Sequence, residues 1–178
     1  MRSGDVWWVY QDVASPLNHG SWTNVVPANT GARLQIDLAD PGAPRGTAIR
    51  LAITFAPGHW AGIAVASAPN YWGATPGEGF DLAGARTLVF SARGAAGGER
   101  VRIKAGVAGD QPFGDSASLP IDSGWLTLSA DWREYRIATD GHDLSRVITP
   151  FMLIANDKHN PAGHLSIFLD DIRYEAAP

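Results

Sequence analysis

The sequence predicts an all-β fold, a two-sheet antiparallel β-sandwich of the jelly-roll type, in a single domain over residues 1–178. Three observations predict it. Apolar and polar residues alternate in many short segments, convincing helical periodicity is missing, and turn-forming residues fill the gaps, with 20 glycines and 12 prolines among 178 residues. Many short strands separated by such turn residues are typical of β-sandwiches and jelly rolls.

The alternation predicts ten strands in chain order. In the clearest one, Ile49, Leu51 and Ile53 lie on one face, and Arg50 and Thr54 lie on the other. The predicted strands are residues 5–12, 32–39, 46–55, 59–66, 86–93, 99–107, 117–128, 132–138, 150–156 and 164–174. Turn segments such as "DPGAPRG", "TPGEG" and "TDGHD" separate them. Because no repeat, low-complexity tract or linker divides the chain, we expect one domain.

The glycine-rich stretch "GAAGGE", residues 94–99, resembles a phosphate-binding loop at first sight. Such a loop needs a helix after it, so that backbone N–H groups face the anion. The residues that follow, "RVRIKAG", instead alternate like a strand, as do the residues before. We therefore predict a β-hairpin over residues 88–106 and no nucleotide site.

Composition excludes several classes of function. Hydrophobic residues make up 45% and charged residues 18% of the chain, as in a globular protein. The net charge of −4 argues against a nucleic-acid partner, which needs clustered positive charge. Cysteine is absent, so disulfides and thiolate chemistry are excluded. No apolar run approaches the roughly 18 residues of a membrane span.

Seven tryptophans are the most unusual feature of the sequence. They are Trp7, Trp8, Trp22, Trp60, Trp72, Trp125 and Trp132. Core packing is the ordinary use of tryptophan, and we expect it for Trp132. Trp22 and Trp72, with Tyr71, fall in segments rich in Gly, Asn and Pro, which predicts surface loops. Trp60 begins a predicted strand and can face either way.

Several segments in their order resemble bacterial carbohydrate-binding modules of the galactose-binding-like jelly-roll class. The resemblance covers residues 6–175 and depends most on "DLAGARTLVF" and on the closing strand "IFLDDIRYE", with "YQD" near the start. It implies two packed antiparallel sheets, non-catalytic binding of a polysaccharide or oligosaccharide, and one structural calcium that joins the first and last strands.

The resemblance also implies the calcium ligands. They would be Asp12, backbone carbonyls around Gly46 and Thr47, and a closing-strand aspartate, either Asp170 or Asp171. Alternation places these two on opposite faces, and we favour Asp170. Hard oxygen ligands of this kind suit Ca²⁺. The alternative is that both closing-strand aspartates are solvated or cap a turn.

Sugars present apolar faces to aromatic rings and hydroxyl edges to planar polar groups. The predicted sugar-binding residues are Trp22, Trp60, Tyr71, Trp72, His59, Arg102 and Asp115. One candidate location is a loop rim around Tyr71 and Trp72. The other is an outward sheet face with Arg50, Arg93, Arg100, Arg102 and Lys104, whose charge favours an acidic polysaccharide, unless it is only a solvated face. Asp115 either contacts a sugar hydroxyl or caps its own turn.

Three other functions stay open. A jelly-roll glycoside hydrolase or polysaccharide lyase needs two carboxylates; Glu78, Glu99, Asp110, Asp115 and Glu134 are available, but no strand shows a closely spaced acidic pair. A metal site could use Asp157, His159 and His164 of "NDKHNPAGH". A structural or interaction domain without sugar binding is the third.

The expected location follows from the expected target. The start "MRSGDVWWVYQD" lacks the apolar core of a signal peptide. The chain is therefore either cytoplasmic or part of a longer exported protein. Because polysaccharides lie outside the cell, we expect an extracellular or cell-surface bacterial module, attached to other modules of a larger chain.

Overall fold

The computed structural model describes residues 1–106, 111–117 and 120–177, and it confirms the predicted two-sheet antiparallel β-sandwich. Within these ranges eleven strands form it: β1 (Val6–Tyr10), β2 (Ser21–Val25), β3 (Arg33–Asp40), β4 (Ala48–Thr54), β5 (Trp60–Ala66), β6 (Ala85–Gly94), β7 (Arg100–Ala105), β8 (Ile121–Thr127), β9 (Arg133–Ala138), β10 (Phe151–Asn156) and β11 (His164–Ala176). Within the described ranges, no helix has the length and apolar character of a membrane span.

The strands divide into a six-stranded and a five-stranded sheet. The six-stranded sheet has the order β3-β4-β11-β6-β9, with β1 added beside β11. The five-stranded sheet has the order β2-β5-β10-β7-β8. The long closing strand β11 pairs with β6 on one side and with β4 and β1 on the other. The first and last strands of the chain are therefore neighbours.

The core fills the space between the two sheets. Alternate residues of each central strand are fully buried there, such as Leu51 and Phe90 from the six-stranded sheet and Ile63 and Phe151 from the five-stranded sheet. The Phe90 and Phe151 rings meet across the core with centroids 6.0 Å apart. Burying one such side chain contributes about 1.5–3 kcal/mol. This burial determines which side of each strand faces solvent.

All ten predicted strands overlap observed ones, but the eleventh, β2, was missed. Its sequence "SWTNV" follows "NHG", which was interpreted as a loop. The strand has only five residues and lies at the edge of its sheet, so its pattern is short. Residues 107 and 118–119 of two predicted strands lie outside the described residues.

The predicted hairpin at residues 88–106 is wrong. β6 belongs to the six-stranded sheet and β7 to the five-stranded sheet, so residues 95–99 carry the chain from one sheet to the other. Gly97 and Gly98 have positive φ angles of 81° and 96°, which glycine adopts readily. A hairpin and a sheet-to-sheet crossover share the same local pattern. They differ only in the partners of their strands, which lie far away in sequence.

Candidate functional site

The side of the five-stranded sheet that faces away from the core, here called the outer face, carries aromatic, charged and apolar side chains. Two rows of paired side chains cross its five strands. The first row is Thr23, Ala64, Met152, Lys104 and Asp122. The second row is Val25, Gly62, Ile154, Arg102 and Trp125. Small residues on β5 therefore lie between larger side chains on both neighbouring strands.

A β-bulge in β8 brings Asp122 and Trp125 to the same face. The two are three residues apart, so strict alternation would put them on opposite sides. The register shifts between Arg102 and Lys104 on the partner strand, and Gly124 has a positive φ of 65°. The Ser123 hydroxyl accepts the Ile103 N–H in the bulge at 2.9 Å. An extra residue of this kind re-aims the side chains that follow it.

Trp125 forms a stacked pair with His159 from the loop after β10. The ring centroids are 3.8 Å apart and the planes are inclined by 20°. The Asn156 side-chain oxygen accepts hydrogen bonds from the His159 backbone N–H at 3.0 Å and from its Nδ1 at 2.8 Å. Buried Asn160 fastens the same loop to β7 through the N–H and carbonyl of Arg100, each at 2.9 Å. The imidazole is therefore held in a fixed position.

Trp60 lies on the same outer face, at the start of β5, and is 39% exposed. It pairs with Asn156, which positions His159. The backbone carbonyl of His59 accepts the Asp157 N–H at 3.3 Å, so the loops before β5 and after β10 are joined. Trp60 and Trp125 are three strand spacings apart, about 14 Å across the strands, and are offset by two residues along them.

Charged groups lie between the aromatic ones. Arg102 donates to both carboxylate oxygens of Asp122, with Nε 2.7 Å from Oδ1, and Lys104 lies 3.7 Å from Oδ2. Partial burial raises the pKa of Asp122, but the hydrogen bonds from Arg102 and the Gly124 N–H outweigh it and hold that pKa below its usual range. One carboxylate thus offsets one of the two positive charges.

A loop covers the opposite end of the outer face. The Asn70 N–H donates to the outward-facing hydroxyl of Thr23 at 3.0 Å. The Tyr71 hydroxyl donates to the Thr75 carbonyl at 2.7 Å and fixes the loop internally. Trp72 is half-buried, and Phe113 from a facing loop is 37% exposed. Tyr71 and Trp72 are thus at the end of the sheet remote from Trp60.

Comparison with known proteins gives matches of structure only. No protein-family model matches the sequence, and no curated protein matches it. A family 11 carbohydrate-binding module from Clostridium thermocellum, solved with a β-1,3-1,4-mixed-linked tetrasaccharide, is similar at TM-score 0.66 and 12% identity, over 99% of this chain and 98% of that one. A family 30 module of a cellulosomal cellulase from the same organism gives TM-score 0.61 and 16% identity, over 97% and 98%. A family 29 module gives 0.56 and 8%, over 98% and 89%.

The chain has the fold of carbohydrate-binding modules. The predicted resemblance is therefore confirmed at the level of architecture. Sequence identities of 8–16% support a shared fold, but they do not support transferring the role of any individual residue. The site must accordingly be argued from the side chains of this chain.

Within this module fold, Trp22 is not where the sequence placed it, and Asp115 has structural partners. Trp22 lies in β2 and not in a loop, and its ring packs between the sheets against Tyr10 and Phe151, with centroids 6.5 and 6.2 Å away. The carboxylate of Asp115 accepts the Ile148 and Thr149 N–H groups. Both side chains therefore support the fold.

The five basic residues predicted to share one face are divided between two. Arg100, Arg102 and Lys104 lie on β7, whereas Arg50 and Arg93 lie on β4 and β6 of the six-stranded sheet. Arg93 is stacked on Phe168 at 3.8 Å and lies 5.6 Å from Trp132. Trp132, expected in the core, thus packs on the far side of the molecule. The basic charge predicted for one face is therefore divided between the two sheets.

Trp125, His159 and Asp122 of the outer face were not predicted as sugar-binding residues from the sequence. Trp125 was counted but given no role, and His159 was considered only for a metal. Among the residues described, no three His, Cys, Asp or Glu side chains form a group that could hold a metal ion. The side of the sheet on which Trp125 lies could not be predicted from alternation along β8, because the bulge between Asp122 and Trp125 shifts that alternation by one residue.

The predicted calcium ligands lie beside the middle of β11, where β1 ends and β4 begins. The Asp12 carboxylate accepts the Ala14 and Thr47 N–H groups, both at 3.0 Å. Asp170 is only 3% exposed and accepts the Asp171 N–H. Burial raises the pKa of Asp170 to about 7, with further contributions from the charges of Asp171 and Asp12. The two predicted carboxylates are therefore close enough to repel one another.

Proposed function

We propose that this chain binds a polysaccharide or oligosaccharide, without catalysis, across the outer face of the five-stranded sheet. The observation that carries the proposal is the pair of aromatic groups there: exposed Trp60 and the Trp125–His159 stack. Arg102 and Lys104 of β7 lie on a strand between them, paired with Met152 and Ile154 of β10 on one side and joined to Asp122 of β8 on the other. The fold shared with carbohydrate-binding modules supports the same proposal.

The chemistry of this face suits a sugar chain better than a small apolar ligand. Indole rings cover the C–H faces of sugar rings, while guanidinium, ammonium and carboxylate groups exchange hydrogen bonds with hydroxyls. Aromatic groups about three strand spacings apart can contact different units of one chain. Because Asp122 offsets the charge of Arg102, the face is less cationic than the basic residues of β7 alone would make it.

Several carboxylates that a glycosidase could use are already engaged by basic side chains or backbone N–H groups, which favours binding over catalysis. Asp122 is held by Arg102, and Glu134 pairs with Arg136 and Arg173 on the other sheet. Asp115 accepts backbone N–H groups. Asp110 lies outside the described residues. A glycosidase acid needs a raised pKa, whereas the pKa values of Asp122 and Glu134 are lowered by their basic partners despite partial burial.

We also propose that a calcium ion joins the first and last strands through Asp12, Asp170 and the Thr47 carbonyl. A buried carboxylate, Asp170, near the partly exposed Asp12 carboxylate is costly without a cation. In the described ranges, no basic side chain pairs with Asp170. Carboxylate and carbonyl oxygens are the donors that Ca²⁺ prefers. When bound, the ion would supply charge balance and a cross-link between strands.

The family 11 and family 30 modules found by comparison belong to cellulosomal cellulases. We propose that this chain is likewise an accessory module of an exported bacterial enzyme acting on polysaccharides. Its role there would be to hold the enzyme at its substrate.

A glycan array tests the proposed function. The wild-type chain is compared with a Trp60→Ala/Trp125→Ala double variant and with Trp132→Ala, a matched control on the far sheet. We expect the wild type and the control to retain the same glycans and the double variant to retain none. Equal retention by all three proteins would exclude the outer face as the site. No retention by the wild type would refute sugar binding.

A further inference from the structure

A groove of about 520 Å³ lies at one side of the sandwich, where β2 and β3, the edge strands of the two sheets, come together. It is called the edge groove here and is lined by Asn24, Gln35, Ile36, Asp37, Arg50 and Ala52. Its volume is within the range of about 300–1,000 Å³ typical of small-molecule sites. Planar polar groups make up most of this lining, and none of the lining residues is aromatic.

Polar side chains line the edge groove from both sheets. Asn24 lies on the same side of β2 as Trp22, whose ring packs between the sheets, so Asn24 points towards the six-stranded sheet. It is nevertheless exposed, because β2 is an edge strand. Gln35 and Arg50 lie on the neighbouring strands β3 and β4 and face away from the core. Three planar side chains from three strands therefore line one groove.

Arg50 lacks the partner that its position would normally give it. It pairs across the strands with Asp37, and opposite charges at such positions usually attract each other. The register of β3 shifts after Asp37, and Oδ1 of Asp37 instead accepts the Ala39 N–H at 2.9 Å. Among the described residues, Arg50 forms no ion pair. The guanidinium and Oδ2 of Asp37 are therefore both available to a ligand.

Other arginines on the same side of the six-stranded sheet do have partners. Arg93 is stacked on Phe168 at 3.8 Å, and Arg173 pairs with Glu134 at 3.1 Å. The fold thus engages these two charges internally. It leaves the charge of Arg50 unused at the wall of a groove.

The edge groove offers both hydrogen-bond donors and acceptors. Arg50 only donates, Oδ2 of Asp37 only accepts, and the amides of Asn24 and Gln35 do both. In the described part of the chain, neither of these amides has a hydrogen-bond partner. A sugar hydroxyl also donates and accepts, so neighbouring hydroxyls of one sugar match this set. An anion would be attracted by Arg50 but repelled by Asp37.

We propose that the edge groove is a second sugar-binding site, which takes the hydroxyl edge of one neutral sugar unit between Arg50, Asp37 and the amides of Asn24 and Gln35. The inference rests on the proposed function for the class of ligand, and it adds a site that shares no residue with the outer face. The chain then binds two glycan segments at once. Because only exposed hydrogen bonds hold the ligand, binding in the edge groove is too weak for retention on an array.

NMR titration of the wild type, Arg50→Gln and Arg33→Gln tests the edge groove. The side-chain NH₂ signals of Asn24 and Gln35 report on the groove, and the tryptophan indole signals report on the outer face. Arg33 is an exposed arginine of β3 outside the groove lining, so it gives a matched control. The neutral probes are the β-1,3-1,4-mixed-linked tetrasaccharide and any neutral oligosaccharide that the array selects. The acidic probe is tetragalacturonic acid.

We expect a neutral probe to shift both amide signals with saturation, in the wild type and in the Trp60→Ala/Trp125→Ala double variant alike. Arg50→Gln should weaken this binding about tenfold, because hydrogen bonds from a charged group are the stronger ones. Arg33→Gln should bind like the wild type. Melting curves verify that every variant folds.

The outcomes separate the edge groove from the outer face. If the indole signals shift while the amide signals stay fixed, the groove proposal is refuted and the proposed function stands. If the double variant loses the amide shifts, or if Arg33→Gln weakens binding as much as Arg50→Gln, the groove is not a separate site. Amide shifts with the acidic probe alone would refute a neutral ligand. If no signal moves with any probe, both proposals are refuted.

Discussion

The indole of Trp125 and the imidazole of His159 stack with centroids 3.8 Å apart, although one belongs to β8 and the other to the loop after β10. Three separate features produce this contact: the bulge at Ser123 and Gly124, the Asn156 hydrogen bonds and the Asn160 attachment to β7. A rigid aromatic group of this kind lowers the entropy cost of binding a flexible sugar chain.

Replacing Trp125 with alanine should weaken glycan binding about fivefold or more, because a ring contact contributes on the order of 1 kcal/mol. Folding should be nearly unchanged, since Trp125 lies outside the core. Calorimetric titration with the glycan selected by the array measures the effect. The matched control is Trp132→Ala on the far sheet, and an equal loss in both variants would argue against a local effect.

Trp22 should behave in the opposite way. Its ring packs between Tyr10 and Phe151, so Trp22→Ala should lower the free energy of unfolding by about 2–3 kcal/mol, less than for a fully buried tryptophan. Glycan affinity measured well below the melting temperature should stay at the wild-type value. Urea denaturation and titration of the same sample check both parts. If Trp22→Ala were as stable as the wild type but had lost glycan binding, Trp22 would belong to the binding site.

Removing calcium should lower the melting temperature. An ion bound only by the folded state adds about 2.7 kcal/mol of stability at a hundred times its dissociation constant. Calorimetric melting with EDTA and with added CaCl₂ measures the difference. Asp170→Asn should abolish the response to calcium, whereas Asp131→Asn, a solvent-exposed control, should keep it. Identical melting of the wild type under both conditions would refute the calcium proposal.

The pairing of Asp122 with Arg102 should make the free energy of unfolding depend on pH in acid. The basic partners depress the pKa of Asp122 in the folded state, so the stabilisation is complete above its ordinary value of 3.8 and is lost as pH falls below it. Between pH 7 and 5 the pair should contribute no pH dependence. In denaturant titrations, Asp122→Asn should reduce the loss of stability below pH 3.8. An unchanged acid profile would show that the pair contributes nothing.

The ten strands found from the sequence were those whose alternation reflects a buried face. Leu51 and Ile167, for example, are buried in neighbouring central strands, and their patterns are long and regular. The missed strand β2 is short and flanked by residues that favour turns. The crossover at Gly97 and Gly98 was mistaken for a hairpin because local sequence does not specify which strands pair.

Predicting the site from sequence was harder for a related reason. The face of Trp60, the first residue of its strand, was left open, whereas Arg102 was identified correctly as facing away from the core, because it continues a regular strand. Trp125 was not, because a bulge breaks the alternation that assigns its face. Its partner His159 comes from another loop, and a stacking contact between distant segments leaves no periodic signal.

The indole N–H signals of the seven tryptophans, followed by NMR during titration with the glycan selected by the array, test the central claim most directly. Each tryptophan has one such signal, so a single experiment compares both sheets. We expect the Trp60 and Trp125 signals to shift with saturation, and those of Trp22 in the core and Trp132 on the far sheet to stay fixed. Shifts confined to Trp132 or Trp8, with Trp60 and Trp125 unmoved, would contradict the assignment of the outer face as the binding site.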